Sequence, residues 1–102
     1  MLMILKAHNL QNRGNNGMSN GKRVLLVDDD TTLIEMLAEQ LQLHEEFSIS
    51  SGSTGVEALE MAKSDYYDVI ILDVGLPDMD GREVCRLMRR NGVRSPIIML
   101  TG

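Results

Sequence analysis

The sequence predicts one α/β domain built on a doubly wound parallel sheet, with its elements in the order β-α-β-α-β-α-β. Three observations carry this expectation. Continuous apolar runs of strand length recur at "VLLV" (24–27), "VIIL" (69–72) and "IIML" (97–100), as in parallel strands covered on both faces. Apolar stripes of helical period lie between the runs. The 102 residues suffice for one modest domain and not for two.

The elements follow in order. Residues 1–21 are expected to form a flexible leader, because "AHNLQNRGNNGMSNGKR" (7–23) is rich in Asn and Gly and has no apolar period. Met18 reads as a second start. The opening "MLMIL" is too short to span a membrane, and Lys6 follows it rather than preceding it as in a signal peptide. After "VLLV", the residues Leu33, Ile34, Leu37, Ala38 and Leu41 form the stripe of the first helix. "FSIS" (47–50) alternates, as an edge strand with one wet face does. Val56, Leu59 and Ala62 form the second stripe, opened by Thr54 with Glu57 at capping-box spacing. Val84, Leu87 and Met88 form the third, opened by Asp80 with Glu83. Arg82, Arg86, Arg89 and Arg90 sit on or near its polar side and read as a solvated face. Asp78, in the loop before that helix, reads as a solvated loop residue.

Composition narrows the function. From Met18 onward there are 8 basic and 15 acidic residues, a balance of -7. Such a segment is unsuited to direct nucleic-acid binding and suited to a divalent cation. Cys85 is the only cysteine, so no internal disulfide forms, and it reads as a small buried apolar residue. A cytoplasmic protein without membrane contact is expected.

Parallel sheets bind ligands beyond the carboxyl ends of their strands. Asp28-Asp29-Asp30 follows "VLLV", Asp73 follows "VIIL" and Thr101 follows "IIML", so carboxylates and a hydroxyl gather at one rim. Converging carboxylates repel one another and raise each other's pKa unless a cation sits among them. A hard divalent ion such as Mg²⁺ suits oxygen ligands of this kind. An aspartate beside that ion can attack phosphorus to form an acyl phosphate. The competing reading makes Asp28 to Asp30 caps of the first helix, but Asp73 has no helix start within several residues to serve.

These segments resemble the receiver domain of two-component response regulators, which is flavodoxin-like in fold. "LLVDDD" (25–30), "IILDVGLPDMDGREVC" (70–85) and "PIIMLTG" (96–102) carry the likeness, which runs over residues 22–102. The resemblance implies that Asp73 is the phosphoacceptor, that Asp28, Asp29, Asp73 and the Gly75 carbonyl hold Mg²⁺, and that Thr101 is the switch hydroxyl. Pro77, Asp80 and Gly81 match the structural turn before the third helix. The phosphoryl donor implied is a phosphohistidine on a sensor histidine kinase or phosphotransfer protein, and the domain is a phosphoacceptor rather than an enzyme with its own substrate.

The family continues beyond the fourth strand into a helix, a fifth strand ending in lysine and a last helix. The sequence ends at Gly102, so a receiver truncated after its fourth strand is expected, its uncovered fourth strand open to self-association. Three alternatives belong beside this reading. One is an interaction module that works without phosphorylation. A second is a haloacid-dehalogenase-like phosphatase, suggested by "DMDG" (78–81) but lacking that signature's place at the strand end. The third is an EF-hand over Asp28, Asp30, Thr32 and Glu39, where Leu33 occupies the position that needs glycine.

Overall fold

The computed structural model describes residues 2–3, 21–44 and 46–101. Its elements are β1 (Leu2–Met3), β2 (Lys22–Val27), α1 (Thr31–Gln42), β3 (Phe47–Gly52), α2 (Gly55–Ser64), β4 (Val69–Asp73), α3 (Gly81–Arg90) and β5 (Ile97–Thr101). They form one sheet in the order β1-β5-β4-β2-β3. The four strands from β2 to β5 are mutually parallel. This is the expected α/β architecture, with β3, the alternating "FSIS" segment, at one edge.

At the other edge, β1 pairs antiparallel with β5, Leu2 opposite Thr101 and Met3 opposite Leu100. The outer side of the fourth apolar run is thus occupied by backbone over two residues. The remainder of the expected leader up to residue 20, with His8 and Met18, lies outside the described residues, as does Gly102.

Right-handed crossovers decide which face each helix covers. The chain moves outward from β2 to β3, then back past β2 to β4 and on to β5. The reversal sends α2 and α3 to one face and α1 to the other. On the α2/α3 face Leu25, Val27, Ile70, Leu72 and Ile97 from the strands meet Ala58, Val84 and Met88 from the helices, with Tyr67 and Leu76 closing the ends. Among the described residues, α1 is the one helix of the other face, and none of its side chains is fully buried. The stripe Leu33, Ile34, Leu37, Ala38 and Leu41 is half-buried throughout. One helix cannot cover four strands.

The α2 stripe is shifted from its expected phase. Val56 is 54% exposed, whereas Ala58 is fully buried. The cause is tertiary: Gly55 packs against Met79 and Val84, which turns Ala58 inward and leaves Val56 at the rim. Cys85 is half-buried and packs against the core. At the opposite end of the sheet the Ser95 hydroxyl donates to the Tyr67 carbonyl at 2.5 Å, and Arg89 donates to the carbonyls of Val93 and Ser95. These bonds fix the turn that leads from α3 into β5.

Candidate functional site

Parallel pairing aligns the carboxyl ends of β2, β4 and β5. Val27 pairs with Leu72, and Asp73 pairs with Leu100. Asp28 therefore emerges one residue past β2 beside Asp73, the last residue of β4. Thr101 ends β5 one residue beyond Asp73's partner. One carboxylate oxygen from each of Asp28, Asp29 and Asp73 lies within 4.8 Å of the others. Asp28 is 2% and Asp73 7% exposed, while Asp29 reaches solvent. The structure brings these three together, with Thr101 half-buried at the same rim.

The acidic run after β2 divides by role. Asp30 caps α1, its Oδ1 accepting the Leu33 N–H at 3.1 Å. Asp28 Oδ1 accepts the Asp30 N–H at 2.8 Å. Among the described residues, Asp28 Oδ2 is buried with no hydrogen-bond partner. An orphaned carboxylate oxygen in a buried site costs about 1–3 kcal/mol, and more when charged. Burial raises the Asp28 pKa, and the charges of Asp73, Asp29 and Asp30 raise it further against the opposing Asp30 N–H. A divalent cation would supply what that oxygen lacks and reverse the repulsion, so the donor set fits Mg²⁺.

The loop from β4 to α3 wraps closely around Asp73. Gly75 and Asp80 form an antiparallel bridge, and the Gly81 N–H donates to the Val74 carbonyl at 2.8 Å. A Cβ on Gly81 would collide with the Asp73 carbonyl oxygen. Only glycine lets α3 start this close to the phosphoacceptor candidate. Gly75 is exposed, and a Cβ there would stand 3.8 Å from Asp73 Oδ2, so its backbone lies beside the carboxylate.

Asp80 is the N-cap of α3, accepting the Arg82 N–H at 2.8 Å. The Arg82 guanidinium also binds it and lowers its pKa to about 2. Glu83 turns to Arg86 instead of completing a capping box. Thr54 caps α2 as expected, accepting the Glu57 N–H at 3.1 Å. Asp78 departs from expectation. It is not a free loop residue: Oδ1 accepts the Gly55 N–H at 2.8 Å and Oδ2 the Val56 N–H at 3.0 Å. Those two amides hold its pKa below the usual carboxylate value. Its partners precede it by more than twenty residues, and no local spacing signals such a cap. What the sequence did contain was the demand for one, since Thr54 serves Glu57 and leaves the first two α2 amides unpartnered.

The aspartates of "DMDG" are thus engaged as helix caps rather than turned to the Asp73 cluster. Thr32, Leu33 and Glu39 lie within α1, so an EF-hand loop does not form.

Residues 24–102 match the family model described as response regulator receiver domain. The chain belongs to the response regulator receiver family. Response regulator MprA of Mycobacterium avium (strain 104) is 44% identical over 80 residues, covering 78% of this chain and 35% of that protein. Its namesake in Mycobacterium leprae (strain TN) is also 44% identical over 80 residues, with the same shares of the two chains. The receiver therefore spans about a third of the length of the curated relatives it matches. The Francisella response regulator 1452 receiver domain superposes with TM-score 0.75 at 26% identity, covering 79% of this chain and 66% of that one. The receiver domain of the histidine kinase CKI1 from Arabidopsis thaliana, complexed with Mg²⁺ and BeF₃⁻, does so with TM-score 0.75 at 29% identity, covering 83% and 68%.

The chain is accordingly a receiver domain of a two-component system, flavodoxin-like in fold, and receivers are regulatory phosphoacceptors that generally bind Mg²⁺ at an acidic pocket. At the strand ends this chain carries an acidic cluster of Asp28, Asp29 and Asp73. Among the described residues, no helix is long and apolar enough to cross a membrane.

Proposed function

We propose that this receiver takes a phosphoryl group onto Asp73 from a phosphohistidine of a sensor histidine kinase or phosphotransfer protein. An Asp73 carboxylate oxygen attacks phosphorus as the bond from phosphorus to the donor imidazole nitrogen breaks. The bonding pair stays with that nitrogen, which takes up a proton, and an acyl phosphate remains on Asp73. Asp28, Asp29, Asp73 and the Gly75 carbonyl would hold Mg²⁺, which neutralises charge on the transferring oxygens. Thr101 is the hydroxyl that turns toward the phosphoryl group and reports its presence.

The observation that carries this reading is the convergence of three aspartate oxygens within 4.8 Å around a buried Asp28 oxygen that no donor satisfies. A merely capping set would leave no such orphan. The CKI1 receiver complexed with Mg²⁺ and BeF₃⁻, a neighbour of the same fold, supports the same assignment.

Incubation with acetyl phosphate and Mg²⁺ tests it. A hydroxylamine-sensitive mass gain of one phosphoryl group is expected, and Asp73→Asn abolishes it. A folded protein that gains no mass refutes the assignment of Asp73.

A further inference from the structure

We propose that Asp78 is a positioning residue for the Mg²⁺ site: by tying the loop after Asp73 to the start of α2, it sets the place of the Gly75 carbonyl. The inference rests on the metal reading above and adds to it a residue that touches neither metal nor phosphoryl group.

The loop is held at its base by the Gly75–Asp80 bridge and by the bond from Gly81 to Val74. Those contacts close the loop at its base and Leu76 is buried in the core cluster, which leaves the tip, from Pro77 to Met79, to be tied to the domain. Asp78 supplies the anchor with both carboxylate oxygens, on the Gly55 and Val56 amides. Met79 beside it packs against Gly55, where a Cβ would crowd its side chain. The tip is thus docked on α2 by one polar and one apolar contact, adjacent in sequence. Gly75 itself is exposed and carries no side chain to hold it, so its carbonyl takes the direction that the loop imposes. Two-oxygen capping by an ionised carboxylate is among the stronger hydrogen-bonded arrangements and restricts orientation as well as distance. Groups hydrogen-bonded directly to metal ligands commonly alter metal affinity about 10- to 100-fold when removed, and an anchor that acts one step further out, through the loop, belongs at the low end of that range.

A simple helix cap would act differently, and α2 offers the comparison within itself. Thr54 caps the same helix end through the Glu57 N–H and is not part of the loop. Thr54→Ala therefore weakens the helix start and leaves the loop anchored, whereas Asp78→Ala loosens both.

The test is the Mg²⁺ dependence of the melting temperature of the full, unphosphorylated chain, which yields a dissociation constant without any transfer reaction. Asp78→Ala is expected to weaken Mg²⁺ binding about ten-fold, at the low end of such effects. Asp78→Asn, which keeps one acceptor oxygen for two amides, should fall between it and the wild type. Thr54→Ala should lower the melting temperature with Mg²⁺ affinity changed less than two-fold. Equal loss of Mg²⁺ affinity in Asp78→Ala and Thr54→Ala overturns the proposal, as does unchanged affinity in both Asp78 variants. Should Asp78→Ala fail to fold, the Asp78→Asn and Thr54→Ala pair decides. Wild-type protein that binds Mg²⁺ yet gains no phosphoryl group refutes only the phosphoacceptor reading. Absence of Mg²⁺ binding refutes both.

Discussion

Asp28 and Asp73 stand side by side at the ends of adjacent parallel strands, each almost wholly buried, with Asp28 Oδ2 unpartnered. Two carboxylates so placed oppose the folded state until a cation joins them. Neutralising either should stabilise the metal-free protein and remove the benefit of the metal. Asp28→Asn and Asp73→Asn are expected to raise stability in EDTA by on the order of 1 kcal/mol. Added Mg²⁺ should raise the melting temperature of the wild type and leave the variants nearly unmoved. Thermal melts with EDTA and with Mg²⁺ check both statements.

Two aspartates should show opposite pH dependence. The Asp28 pKa is raised in the folded state, so the native protein holds that proton more tightly than the unfolded chain. Its penalty is full above the folded value and is relieved as pH falls through it. Asp80 is lowered to about 2. Its contribution is present above the ordinary aspartate value of about 3.9 and is lost as pH falls from there through the folded value. In metal-free buffer the advantage of Asp28→Asn over wild type should therefore shrink toward acid pH. The deficit of Asp80→Asn should stay constant from neutrality to about pH 5 and close below pH 4. Parallel curves for the two variants would contradict the assignment.

Glycine is required at one of the two loop positions beside Asp73. Gly81→Ala drives a methyl group into the Asp73 carbonyl oxygen, and a cost at the upper end of the overpacking range, about 3 kcal/mol, is expected. Gly75→Ala puts its methyl 3.8 Å from Asp73 Oδ2, an ordinary contact, and should change stability by less than about 1 kcal/mol. Urea unfolding of the two variants distinguishes them.

The two faces of the sheet should differ in sensitivity. Met88 is fully buried in the α2/α3 core, so Met88→Ala should cost about 2–5 kcal/mol. Leu37, on the half-buried α1 stripe, should cost about half as much on truncation, because it leaves water only in part. Urea midpoints for the pair measure the asymmetry.

Much of this was written locally. The apolar runs 24–27, 69–72 and 97–100 named three of the strands, and the residues following them named the rim, because a strand covered on both faces must be apolar throughout. Thr54 and Asp80 announced helix starts, since a cap serves amides only two or three residues away. Asp78 could not be read in the same way, as its partners Gly55 and Val56 become neighbours only when α2 and the loop pack together. Nor could the exposure of Val56, which follows from how Gly55 meets Met79 and Val84.

The sequence by itself determined the order of elements, the strand-end aspartates and the turn residues, each the result of short-range sterics, periodicity and capping. Tertiary structure alone decided the rest. Parallel register set Asp28 beside Asp73, crossover direction left α1 the one described helix on its face, and the docking of the loop on α2 made an anchor of Asp78. Those outcomes depend on contacts between segments far apart in the chain, and local pattern carries no record of which distant groups will meet.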